Sequence, residues 1–427
     1  MSEAAYKTME APVRADGAVV PGPDVRPVPR ISIQAFCESP DLIAAIEAAA
    51  RDRRMSRAHV KVQTGGIAVA AEFYQGAATP NLIVVESKLP RDRLEVELDR
   101  LSEVCDAGTK VVVIGHVNDV ELYRGLTQRG VSEYLVAPVG LTDIIKTVAD
   151  LYVDRSTRPL GHTIAFIGAK GGVGSSMIAH NVAWSIARSF QNDVVVTDLD
   201  LAFGTAGLDF NQDPAQGIAE ALNAPDRLDD NFLDRLLARC ADHLSLLAAP
   251  ATLDRTYDFT ESAFEPVIDI AQAGMPAVVL DVPHAWNAWV KKTLLAADEV
   301  VVTVEPDLAN LRNAKNLVDL LKGARRNDQL PRLVVNKSGL AKRPEIKTED
   351  FASALGLVPL AVIPFDALLF GTAANNGQMI AEADPKSPIA ESFDLIARTV
   401  TGRAEVKRQK RSVLAPFLSR FTGKKSA

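Results

Sequence analysis

From residue 30 onward, short apolar runs alternate with longer stretches of helical spacing. ISIQAF (31–36), HVKVQT (59–64), NLIVVE (81–86), KVVVIG (110–115) and SEYLVA (132–137) are strand-like, being short and rich in β-branched residues. Helix-like stretches such as Asp41–Arg53 and Leu141–Val153 lie between and after them. Strands alternating with helices over 30–153 predict a small doubly wound parallel sheet. A second series runs over 162–402, with TIAFIG (163–168), DVVVTDLD (193–200), LSLLAA (244–249), PAVVLDV (276–282), EVVVTV (299–304) and RLVVNK (332–337) as its strongest strand candidates. Continuous valine runs are those of strands covered on both faces. The fold class is α/β, in two doubly wound domains joined by a linker at 154–161.

The two ends break this pattern. Prolines 12, 21, 23, 27 and 29 fall in 1–29, which reads as a disordered leader with little to bury. Residues 403–427 carry eight Lys/Arg and one Glu, a local +7 that leaves −14 on the rest of the 427-residue chain. Within them Val413, Leu414, Phe417, Leu418 and Phe421 fall on one helical face between cationic flanks, the pattern of an interfacial membrane helix. Pro416 fits only in the first turn of such a helix. The competing reading is a tail packed on its own domain or a partner. Composition is that of a globular protein, 47% hydrophobic and 24% charged. Cys37, Cys105 and Cys240 are far apart with no CxxC pair, which argues against a disulfide framework or a thiolate zinc site. With no apolar signal segment in MSEAAYKTME, a cytoplasmic protein is expected. The acidic body, lacking a helix-turn-helix, zinc finger or aromatic-basic platform, leads us to expect no DNA binding.

The chemistry concentrates at GAKGGVGSS (168–176), between a strand and a helix-like segment. That order sets backbone N–H groups and a helix N-terminus around one point, an anion cradle suited to a di- or triphosphate. Lys170, Gly171, Gly172, Val173, Gly174, Ser175, Ser176 and Met177 are therefore candidate nucleotide-binding residues. Ser176 sits where a hydroxyl would ligate Mg²⁺. Asp198, Asp200 and Asp281 lie at two strand ends and can converge on the loop as metal-shell carboxylates. An isolated aspartate there is more often a helix cap; two such strand ends beside a glycine loop favour the functional view. A strict GxxxxGK[ST] pattern is not met, since Ala169 stands next to the first glycine position and Ser175 where the phosphate-gripping lysine belongs.

With its lysine early in the loop, the sequence resembles the deviant Walker A ATPases of the MinD/ParA class. The resemblance implies that Lys170 reaches across a dimer interface to the partner's nucleotide. It also implies that Asp200 orients the attacking water or metal shell, and that Asp281 is the Walker B aspartate. VVNK resembles the family's adenine-contacting stretch, with Asn336 reading the base, and IPFD puts Pro364 and Asp366 near the same pocket. ATP and Mg²⁺ are the implied cofactors and an ATP-bound homodimer the implied assembly. KGGVGSS, DLDLAFGTAG (198–207), LDVPHAWNAW (280–289) and VEPDLANLRNAKNL (304–317) further resemble the CpaE/TadZ branch, which assembles Flp/Tad-type pili. His284 and the tryptophans of HAWNAW are read as core or dimer surface rather than catalytic groups.

That branch also carries a receiver-like (flavodoxin-like) domain ahead of its P-loop domain, as 30–153 does here. A receiver needs a strand-three aspartate, acidic residues after strand one, a hydroxyl after strand four and a lysine before a proline on strand five. The chain offers Glu86, the triplet CES (37–39), Gly115-His116 and Ala137 instead. The domain is expected to dock pilus or secretion components rather than accept phosphate. Three functions follow. The first is an ATP-dependent dimerising organiser of a pilus machine, at the inner membrane or cell pole through its tail, with slow or absent hydrolysis. The second is a MinD/ParA-like ATPase for cell-division or DNA-partition positioning. The third is a catalytically silent scaffold.

Overall fold

The computed structural model describes residues 28–152, 160–253 and 255–402. The expected tail, 403–427, and all but the last two residues of both leader and linker lie outside them. The chain divides into two compact units, one reaching Tyr152 and including Asn327–Gln329, the other holding the remainder. No helix among the described residues is long and apolar enough to cross a membrane.

The first unit holds β1 (Ser32–Cys37), β2 (His59–Thr64), β3 (Leu82–Glu86), β4 (Lys110–Gly115) and β5 (Glu133–Val136). They form one parallel sheet in the order β2-β1-β3-β4-β5, the flavodoxin-like arrangement. Alternate residues face opposite cores: Leu82 and Val84 enter one cluster, Ile83 and Val85 the other. Val28 is buried, and its N–H donates to the Arg54 carbonyl at 2.7 Å, so packing begins two residues before the boundary expected from the prolines.

The second unit contains an eight-stranded sheet in the order β13-β12-β11-β6-β10-β7-β9-β8. Its strands are β6 (His162–Gly168), β7 (Val194–Asp198), β8 (Ala238–Ala241), β9 (Leu244–Leu247), β10 (Ala277–Val282), β11 (Glu299–Val304), β12 (Arg332–Ser338) and β13 (Pro359–Pro364). All pairings are parallel except β8 with β9. The valine runs behave as expected of a sheet covered twice. Val300, Val302 and Val304 of β11 enter the core on one face, and Val301 enters the other. β6 lies between β10 and β11; the connection out of β6 runs to β7 on one side, and that out of its neighbour β11 runs to β12 on the other. Such a switch point opens a crevice at the carboxyl ends of the strands.

Candidate nucleotide site

β6 delivers the chain to that crevice, and Ala169–Gly174 turns it into the helix Ser175–Phe190. Gly172 and Gly174 adopt φ of +78° and +87°, the left-handed region that glycine enters without strain. Gly174 has a second reason to lack a side chain: a Cβ there would stand 2.6 Å from Asn336 Nδ2. That amide donates to the Val173 carbonyl at 2.8 Å, while Asn336 Oδ1 accepts from the Lys337 N–H at 2.9 Å. The base-side asparagine expected from sequence thus meets the loop directly.

Side chains from other elements hold the loop's carbonyls. His284 Nδ1 lies 3.0 Å from the Gly168 oxygen, Asn313 Nδ2 donates to Ala169 O at 3.0 Å, and Lys337 Nζ donates to Gly172 O at 2.5 Å. Two lysines thus serve the loop, Lys170 within it and Lys337 from β12, each with a carboxylate from the turn after β11. Lys337 Nζ is 2.9 Å from Glu305 Oε1, and Lys170 Nζ is 3.6 Å from Asp307 Oδ2. Asp307 also caps the helix Leu308–Ala324 by accepting from Asn310 N. Burial raises its pKa, but the Asn310 hydrogen bonds and the Lys170 ammonium outweigh that and hold it below its ordinary range. Ser175 Oγ is buried without a hydrogen-bond partner. A buried hydroxyl left unpaired is costly, and an anion oxygen at the helix N-terminus would supply the missing partner. The donor set therefore fits a polyphosphate.

The aspartates occupy two environments. Asp198 ends β7 and Asp281 lies beside it in register on β10, both buried. Asp198 Oδ1 accepts from Asp200 N at 3.1 Å and Oδ2 from Ala206 N at 3.2 Å. Burial and the neighbouring Asp281 charge push its pKa up to about 7. Asp200 is half-buried, and its carboxylate accepts from Phe203 N at 3.0 Å. Asp281 faces His180 of the helix Ser175–Phe190, whose Nε2 is 3.2 Å from Oδ2. Among the described residues, no three His, Cys, Asp or Glu side chains are grouped to hold a metal. Mg²⁺ at this site would thus draw ligands from phosphate oxygens, water and the Ser176 hydroxyl as well as carboxylate. Met177 stays within the helix, its carbonyl accepting from Asn181 Nδ2. Pro364 closes β13, and Asp366 caps the next helix through Leu369 N at 2.9 Å. His180, Lys337, Asp307 and Asn313 were not singled out from sequence. The one local signal was a histidine set among apolar residues on a helix leaving the loop.

In the first unit, Glu86 occupies the corresponding end of β3 and is buried. Its Oε2 accepts from the N–H groups of Glu38 and Ser39, both at 2.7 Å. Its Oε1 accepts from Ser39 Oγ at 2.7 Å and lies 3.1 Å from His116 Nε2. Burial raises the Glu86 pKa, and these hydrogen bonds overcome that to hold it below the usual carboxylate value.

A strand, glycine loop and helix at the switch point of a parallel sheet, with aspartates on the neighbouring strand ends, define a P-loop nucleotide-binding domain. Comparison with known proteins agrees. Residues 161–331 match the AAA domain family, and the chain is homologous to MinD/ParA-like P-loop ATPases. It is 25% identical over 281 residues to the septum site-determining protein MinD of Bacillus subtilis, covering 61% of this chain and 98% of that one. A ParA family ATPase from Chlorobium tepidum is 25% identical, with a TM-score of 0.51 over 55% of this chain and 98% of its own. A pilus assembly protein CpaE from Caulobacter crescentus is 51% identical over 30% of this chain and 98% of its own, with a TM-score of 0.30.

Proposed function

We propose that this protein binds ATP with Mg²⁺, closes into a homodimer on doing so, and acts as a spatial organiser of a Flp/Tad-type pilus machine. The observation that carries the reading is the placement of charge in the loop. Its lysine is Lys170, half exposed and engaged with Asp307, while the position that normally grips phosphate is the buried, unpartnered hydroxyl of Ser175. A serine donates a hydrogen bond but no charge, and a charged donor is worth about 1.5–3 kcal/mol. Turnover is therefore slow, and Lys170 contributes from the partner copy. Backbone N–H groups of the loop and the helix N-terminus bind the phosphates, Asn336 orients the base, and Asp200 orients the attacking water. Bound Mg²⁺ supplies charge neutralisation on the phosphate oxygens.

The pilus assignment rests on the motifs at 198–207, 280–289 and 304–317 together with a receiver-like unit ahead of the P-loop domain. Partners dock on that unit, and the tail at 403–427 draws an otherwise cytoplasmic protein to the inner membrane or pole. Homology to MinD over 61% of the chain favours, as the second reading, a positioning ATPase for cell division or DNA partition. The test is the mass in solution with ATP·Mg²⁺, with ADP·Mg²⁺ and without nucleotide. A dimer with ATP alone, lost in Lys170→Ala, is the expected result. A mass indifferent to nucleotide overturns the reading and leaves a scaffold. Turnover as fast in Lys170→Ala as in wild type refutes the contribution in trans.

A further inference from the structure

The helix leaving the loop carries a histidine that none of these roles uses. His180 is completely buried, five residues after Ser175 and roughly 7.5 Å along the helix axis. Carboxylates approach it from two sides. Its Nδ1 lies 2.7 Å from Asp209 Oδ2, and its Nε2 lies 3.2 Å from Asp281 Oδ2, the latter outside good hydrogen-bond geometry. The Phe210 ring closes the site, with ring centroids 5.3 Å apart.

These contacts pin one stretch of chain at both ends. Leu199 N donates to the Asp281 carbonyl at 3.0 Å, fixing the exit from β7. Asp209 ends the short helix Ala206–Asp209, whose first N–H donates to Asp198 Oδ2. Between them runs the turn that carries Asp200. Gly204 passes so close beneath Asp198 that a Cβ there would stand 2.3 Å from Oδ2. An imidazole bridging two buried carboxylates offsets their charge, and removing it strands both.

We propose that His180 is a positioning residue, tying the segment Leu199–Asp209 to the P-loop helix and to Asp281 so that Asp200 keeps a fixed station relative to the loop. The importance of that station rests on the nucleotide reading above; the tie itself does not. A shift of the loop on occupancy reaches Asp209 and Asp281 through one and a half turns of helix.

The test is hydrogen exchange of the full chain, read on peptides covering 168–178 and 199–210, with and without ATP·Mg²⁺. Wild type is compared with His180→Ala, His180→Gln and Asp209→Asn. Without nucleotide, the Asp200 and Ala206 amides should exchange at least about tenfold faster in His180→Ala and Asp209→Asn, because local opening governs exchange there. His180→Gln, which keeps a donor, should fall between. With ATP, the loop peptide should gain protection in every variant, while the 199–210 peptide gains it only where the tie survives. Unchanged exchange at Asp200 and Ala206 in both disrupting variants overturns the proposal, as does a uniform acceleration across the unit, which marks a merely structural role. Should His180→Ala fail to fold, Asp209→Asn and His180→Gln carry the same comparison. If ATP leaves the wild-type loop unprotected, the nucleotide reading fails, and the comparison without nucleotide still decides the role of His180.

Discussion

A hydroxyl in place of an ammonium alters what the loop can hold, and the change can be reversed one residue at a time. Ser175→Lys restores a cation at the helix N-terminus and should tighten ATP binding by about tenfold to a hundredfold, the range of a charge-assisted hydrogen bond. Titration with a fluorescent ATP analogue measures it; equal or weaker binding would mean that the buried space around Oγ cannot take the longer side chain. In the first unit, Glu86 is the residue to change. Its folded pKa lies below its unfolded value, so its stabilisation is present above about pH 4.3 and is lost as pH falls through the folded pKa. Protection of the Glu38 and Ser39 amides, read as exchange relative to the intrinsic rate at each pH, should therefore fall in acid in wild type. In Glu86→Gln that protection should already be reduced at neutral pH, with the turn weakened by about 2–3 kcal/mol. Wild type should incorporate no phosphate at residue 86 from acetyl phosphate. The places of Lys170 and Ser175 in the turn between β6 and its helix were legible in the sequence because they are set by neighbours in one loop. The roles of His180, Lys337 and Asn313 were not, because each depends on a partner many positions away that only the folded sheet brings near.

Elements followed their patterns where burial enforced them. The valine runs of β7, β10, β11 and β12 were evident because strands covered on two faces have little room for polar residues. β8 and β13 were missed as strands for the converse reason. β8 is a four-residue edge strand with partly exposed positions, and β13 is an edge strand that begins and ends with proline. Proline is tolerated at an edge, where the missing N–H breaks no ladder, but it reads in sequence as a turn. The joint between loop and helix is the most sensitive at this scale. Gly174→Ala meets both a left-handed backbone and the Asn336 amide, and the expected cost is about 1–2 kcal/mol of stability. Loss of ATP binding should exceed that cost, because the Asn336–Val173 contact goes with it; thermal melts beside nucleotide titration separate the two.

At the scale of the molecule, charge is divided unevenly along the sequence, with +7 on 403–427 and −14 on the rest. Deleting 403–427 should abolish flotation with anionic liposomes and leave nucleotide binding unchanged; undiminished flotation would assign membrane contact elsewhere. The sheet order bears on how the molecule is made. β6 and its loop precede most of the second unit in sequence, yet the strands that flank β6 are β10 at 277–282 and β11 at 299–304. On the ribosome, the future loop must wait with both strand edges bare until the chain has been synthesised past residue 304 and has cleared the exit tunnel. Long-range parallel pairing of this kind is slow and exposes the nascent chain to misassociation. The crevice at the carboxyl end of β6 can thus form only once both of its flanking strands have been made.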